Sequence, residues 1–208
     1  MTPESALELG LQELKLDLPP TSRATLIAYV HLLAKWNRTY NLTAIRDPLK
    51  MVSHHLLDSL AALAHLPAGR LADIGSGGGL PGIPIAIAEP ARQVTLNEAS
   101  QKKAAFLRQA TIELALGNTQ IHVGRAEDWT PAKKFAVVIT RGFAEIGTFI
   151  VRCRHLAAPG GVLAAMKGVF PSGELDGVPP DTDCRQVVRL NVPFLNAERH
   201  LVLCRPIE

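Results

Sequence analysis

Four glycines fall within five positions, Gly75-Ser76-Gly77-Gly78-Gly79, directly after the short apolar run Leu71-Ala72-Asp73-Ile74. An ordinary link between a strand and a helix needs no such density. Glycine has no Cβ, so the backbone there can turn sharply and let a bound molecule approach closely. The stretch therefore predicts a buried strand, a tight turn and then a helix, with a ligand held against the turn. A chain built around such a unit is constrained to an α/β sheet with its ligand at the carboxyl ends of the strands.

The rest of the chain fits that constraint. After Pro67-Ala68-Gly69, apolar runs at Leu71–Ile74, Gln93–Leu96, Ile121–Val123, Phe135–Thr140 and Gly161–Met166 alternate with helical patterns near 82–89, 101–116 and 144–156. Strand and helix alternating in this way predict a parallel sheet built from right-handed crossovers. Arg185–Leu190 and Arg199–Cys204 are joined by a connection too short for a crossover and are expected to form a hairpin. Before the sheet, residues 1–66 read as a helical extension, and residues 67–208 as one sheet domain. Thr2-Pro3 and Asp47-Pro48 each place a capping residue before a proline at the first helical position. Pro19-Pro20 is expected to end the first helix, and the second to stop near Asn37.

Composition narrows the class without naming a function. The 208 residues are 47% hydrophobic and 20% charged, which excludes a disordered chain. The net charge of +3 leans weakly towards a polyanionic partner. The N-terminus carries Glu4, Glu8 and Glu13 without a basic flank, so no signal peptide is expected, and no apolar stretch is long enough to span a membrane. Cys153, Cys184 and Cys204 are an odd number at unrelated spacings, which argues against a disulfide framework and for a reducing cytosol. His54-His55 has no third partner at metal-ligand spacing, so no metal is expected.

Two cofactors compete for the glycine turn. Gly77, Gly79 and Gly82 match the dinucleotide fingerprint GxGxxG, a weak signal when it stands alone. That fingerprint needs the helix N-terminus free to receive a pyrophosphate. Here Asp73 sits two positions before the first glycine, and Pro81 and Pro84 occupy the helix start. An acid there suits the amino group of a methionine moiety and repels a pyrophosphate, which favours S-adenosylmethionine over NAD. Glu98 ends the next strand, 25 residues after Asp73, where a carboxylate meets the hydroxyls of a ribose. Ala126 and Glu127 follow the third strand, beside the expected adenine.

Trp36-Asn37, Tyr40-Asn41-Leu42-Thr43, His55 with Asp58-Ser59, Asp73 through Pro84, Arg125 with Glu127, Thr140-Arg141-Gly142 and Met166-Lys167-Gly168 share one order and spacing. In these the chain resembles the RsmG (GidB) family of small-subunit ribosomal RNA methyltransferases, from the first helix to the last strand. Glu98 stands where aspartate is expected, and Thr140-Arg141-Gly142 where Ser-Arg-Ala is commoner. The resemblance implies a class I S-adenosylmethionine-dependent fold, Rossmann-like and mostly parallel with an antiparallel last strand. It implies methyl transfer to N7 of a guanine in a loop of 16S rRNA, by a cytoplasmic monomer acting on a 30S particle or assembly intermediate. Cofactor contacts are expected at Asp73, Gly75, Gly77, Gly79, Leu80, Glu98, Ala126, Glu127 and Arg141. Arg141 and Asn41 are the candidates at the methyl-transfer site, and Arg38, His55, Arg125 and Lys167 the candidate RNA contacts.

Other readings make different demands. Methylation of an exocyclic adenine nitrogen relies on [D/N]PP[Y/F] after the fourth strand, where this chain has Thr140-Arg141-Gly142-Phe143. Methylation at cytosine C5 needs a cysteine there, and none is present. A small-molecule methyltransferase would carry a larger apolar lid, and a plain RNA-binding module would not need the glycine turn. Arg141 itself reads either as a site residue or as a salt bridge at the sheet edge.

Overall fold

The computed structural model describes residues 1–207. Thr2 caps α1 (Pro3–Glu13) by accepting from the Ser5 N–H, while the Ser5 hydroxyl accepts from the Thr2 N–H. This helix ends before the two prolines expected to break it. Lys15 takes a positive φ of 56°, and the Leu16 N–H returns to the Leu11 carbonyl at 2.9 Å. That is a Schellman termination, with lysine standing in the left-handed position that usually takes glycine. Pro20 then opens α2 (Pro20–Tyr40), which runs past Asn37 and stops where Asn41 turns left-handed at φ 50°. The third expected helix is a composite: α3 (Pro48–Met51), a π-helical stretch (Val52–Leu57) and α4 (Asp58–Ala61).

The sheet strands are β1 (Leu71–Ile74), β2 (Val94–Glu98), β3 (Thr119–Val123), β4 (Phe135–Arg141), β5 (Ala157–Lys167), β6 (Thr182–Arg189) and β7 (His200–Pro206). Their order is β3-β2-β1-β4-β5-β7-β6. The first five pair in parallel, while β7 runs antiparallel to both β5 and β6. Between them lie α5 (Gly82–Ala88), α6 (Gln101–Glu113), α7 (Ile146–Cys153) and the short α8 (Ser172–Leu175). α7 begins two residues later than its apolar pattern indicates, because the Ile146 N–H is taken by the Glu174 carboxylate at 2.8 Å.

Alternation along each strand builds two cores. Val162, Ala164 and Met166 of β5 face one side with α1, α2, α5 and α6, while Leu163 and Ala165 face α7. The N-terminal helices share the first core with the sheet: Leu26, Leu33, Leu56 and Leu57 are wholly buried there. No helix among the described residues is long and apolar enough to cross a membrane.

One expectation is overturned. Cys184 and Cys204 are joined in a disulfide, with their Cα atoms 4.1 Å apart. The hairpin register that pairs Asp183 with Arg205 sets the two cysteines opposite each other, a relation invisible in a 20-residue spacing. Cys153 remains free and buried, and desolvation pushes its thiol up to about 12.

Candidate active site

β1 and β4 are neighbours from which the chain winds outward in opposite directions, so the crevice of this sheet opens above their carboxyl ends. Gly75 follows β1 there, and Arg141 ends β4. Glu98 ends the adjoining β2.

The glycines divide into two kinds. Gly75, Gly77 and Gly79 take φ of 68°, 57° and 86°, a region that carries strain for a residue with a Cβ. A Cβ on Gly79 would strike Ile83, and one on Gly82 would strike Leu96 and the Asp73 carboxylate. These two glycines let the turn pack on α5 and β2. A Cβ on Gly77 would meet nothing nearer than the Gly75 carbonyl at 3.8 Å, and one on Gly75 would come within 3.1 Å of the Phe143 ring. The backbone thus opens to the crevice at Gly77, while the Phe143 ring covers Gly75.

Asp73 lies beneath the turn and is wholly buried. One carboxylate oxygen accepts from the Gly82 N–H at 2.9 Å, and the other has no partner. Burial pushes its pKa up to about 7, against the lowering effects of the Gly82 hydrogen bond and of Arg141. Its place is under the loop that would meet a cofactor, rather than on the crevice wall. Above it the Gly78 carbonyl accepts from the buried Tyr29 hydroxyl at 2.6 Å, so α2 supports the turn from behind.

Glu98 faces the turn directly. Its oxygens accept from the Gly77 N–H at 2.9 Å and the Ser100 N–H at 2.8 Å, and each keeps a second lone pair. Leu80 and Ala126 are both buried, Leu80 in the first core and Ala126 in the second. Glu127 is half-buried and bonded to Arg125 at 3.2 Å; its pKa is lowered chiefly by its own backbone N–H.

Arg141 belongs to a network drawn from four parts of the chain. Its Nη1 donates to Asp58 Oδ2 and to the His54 carbonyl, both at 3.0 Å. The other Asp58 oxygen accepts from Arg199 Nε, also at 3.0 Å. His55 lies beside Arg141, with Nε2 2.8 Å from the Thr43 hydroxyl. Burial first, and the Arg141 charge second, lower the His55 pKa to about 4, so this histidine is neutral near pH 7. The π-helical stretch carries both histidines, and such widened turns recur at functional sites. The salt bridge that competed with the site reading for Arg141 is present, and it stands at the crevice.

The remaining candidates disperse. Asn41 ends α2 with its side chain exposed and apart from this network, which Thr43 joins instead. Arg38 and Arg125 are exposed on the surface. Lys167 donates to the Ala144 carbonyl at 2.8 Å and pairs with Glu174 at 2.6 Å, tying the β4–α7 turn to α8. Sequence reasoning missed Arg199, Tyr29 and Phe143, and drew no role for Asp58. Nothing local marks them, since each meets its partner only across the fold. Among the described residues no group of His, Cys, Asp and Glu could hold a metal ion.

Comparison with known proteins shows the family and the fold. A family model described as rRNA small subunit methyltransferase G (GidB) matches residues 22–202. The ribosomal RNA small subunit methyltransferase G of Laribacter hongkongensis is 48% identical, over 97% of this chain and 98% of that protein. Its namesake from Methylobacillus flagellatus is 50% identical over 96% of each. Among solved structures, the glycopeptide N-methyltransferase MtfA superposes with a TM-score of 0.59 at 12% identity, covering 74% of this chain and 96% of that one. TrmN from Thermus thermophilus gives 0.56 at 15% identity, covering 82% and 53%. At such identities the two structures speak for the fold alone.

Proposed function

The chain belongs to the GidB family of rRNA small subunit methyltransferases, and we propose that it transfers a methyl group from S-adenosylmethionine to N7 of one guanine in a loop of 16S rRNA. The observation that carries this reading is the glycine turn, open at Gly77 to the crevice between β1 and β4 with Glu98 on one side and Arg141 on the other.

S-adenosylmethionine supplies an electrophilic methyl on a sulfonium. The residues present fit it. Gly77 leaves backbone room, Glu98 retains lone pairs for ribose hydroxyls, and Ala126 is an apolar residue beside the third strand for the adenine. Asp73 places a carboxyl with an unpartnered oxygen beneath the turn, where its charge attracts a cation.

Guanine N7 has an in-plane lone pair and no proton to lose, so its attack requires no general base. What the protein must do is hold the acceptor and the methyl in line, a proximity effect worth up to about 10 kcal/mol. Arg141, fixed by Asp58 and the His54 carbonyl, offers directed donors at the crevice for that purpose. N7 lies in the major groove, too deep in A-form RNA for side chains to reach, so the target guanine sits in a loop or an opened helix. The substrate under this reading is a 30S particle or an assembly intermediate, and the enzyme a cytoplasmic monomer.

Labelled cofactor incubated with 30S particles from a strain lacking the enzyme tests the reading. The label is expected in 16S rRNA, at N7 of a single guanine. Label at another atom, or none in RNA, would overturn it. Calorimetry should show binding of S-adenosylhomocysteine and none of NAD.

A further inference from the structure

Asp58 is 1% exposed and lies on α4, yet its two oxygens each accept from a different arginine. Arg141 comes from the end of β4, 83 residues away, and Arg199 from just before β7, 141 residues away. One carboxylate between two guanidiniums leaves a local net charge of +1. Both arginine side chains keep 24% of their surface exposed. Their donors are not used up. Arg199 Nε goes to Asp58 and its Nη1 to the Glu198 carbonyl, while Nη2 has no partner among the described residues. Arg141 Nη2 reaches only His55 Nδ1, at 3.4 Å. The other groups facing the pair are His54, His55, Glu198 and the backbone at Gly168, while the buried Asp73 and Tyr29 lie within range of the Arg141 charge.

We propose that Asp58 is a positioning residue that fixes Arg141 and Arg199 as one clamp for a phosphodiester of the acceptor strand. The proposal rests on the RNA methyltransferase reading above. Two guanidiniums this close repel each other, and a buried carboxylate with one oxygen for each holds both in place. The spare N–H groups and the residual positive charge then suit an anionic oxygen with several lone pairs. Such an oxygen belongs either to the RNA backbone or to the carboxylate of the cofactor.

Placement favours the RNA. Arg199 leads into β7, which lies beyond β5 from the glycine turn, on the side of the crevice opposite Glu98.

Steady-state kinetics on 30S particles, with S-adenosylhomocysteine affinity measured alongside, test the clamp. Asp58→Asn is expected to lower kcat/KM for the particle at least about tenfold, chiefly through KM, with cofactor affinity changed less than about twofold. Asp58→Glu, which keeps the carboxylate, should recover part of the loss. Should Asp58→Asn fail to fold, Arg199→Gln decides. It should raise KM for the particle and reduce the slope of log affinity against log salt by roughly one. A normal KM in the folded variants overturns the clamp. So does an equal loss of S-adenosylhomocysteine affinity, which would assign the arginines to the cofactor's carboxylate. If wild-type enzyme fails to methylate the particle at all, the parent reading falls instead.

Discussion

At the scale of single residues, Gly77 is the sharpest test of the turn. Gly77→Val adds a side chain to the open side of the loop at φ 57°, where it also strains the backbone by about 1–2 kcal/mol. The expected result is a folded protein, by circular dichroism, with no measurable S-adenosylhomocysteine affinity. Retained affinity would mean that the turn does not hold the ligand. Asp73 makes a pH-dependent prediction. Its folded pKa of about 7 lies above the ordinary 3.8, so the native state holds this proton more tightly than the unfolded chain. The cost of the buried carboxylate therefore grows as pH rises from about 4 to about 7 and then levels off. At about 1.4 kcal/mol per pKa unit it reaches a few kcal/mol. Asp73→Asn removes it, so urea unfolding of the ligand-free proteins should show the variant gaining on wild type between pH 5 and 8. Parallel profiles would show that Asp73 does not titrate in that range. The sequence singled out Asp73 and Gly77 as candidates, since both belong to one local turn. It could not show that Asp73 lies buried beneath the loop, because burial is decided by what packs above it.

At the scale of elements, α2 supports the glycine turn through one bond, Tyr29 hydroxyl to Gly78 carbonyl. Tyr29→Phe leaves a buried carbonyl without its donor, at a cost of about 1–3 kcal/mol. Because the bond is to the turn itself, the variant should bind S-adenosylhomocysteine more weakly at a temperature where it remains folded. Unchanged affinity with a lowered Tm would make Tyr29 a packing residue only. Leu26, Val30 and Leu33 recur at helical spacing, a pattern that marks a buried face but cannot show that it lies against the glycine turn. The cap-then-proline starts at Pro3 and Pro48 are local and were readable. The end of α1 was misjudged, since its Schellman termination uses Lys15 in place of glycine and leaves no mark in composition. The π-helical stretch was equally hidden, because its apolar spacing at Val52, Leu56 and Leu60 is that of an ordinary helix.

At the scale of the whole molecule, residues 1–66 and the sheet share one core. A chain truncated to begin at residue 67 would expose the faces of α5 and α6 that α2 and α4 now cover. It would also lose Asp58 and Tyr29. Such a fragment is expected to lack a cooperative unfolding transition, and a sharp transition in urea would show the sheet to be an independent domain. Hydrophobic alternation and the glycine turn by themselves determined the parallel sheet, its terminal hairpin and the crevice side of the fold. These signals lie within a few residues of one another and reflect the period of strand or helix. The Asp58 network with Arg141 and Arg199, the Cys184–Cys204 bond and the diversion of Lys167 to Glu174 were decided only by the tertiary structure. In the first two the partners lie far apart in the chain and only the order and register of strands bring them together, while Lys167 meets Glu174 through the fold of the loop between β5 and α8.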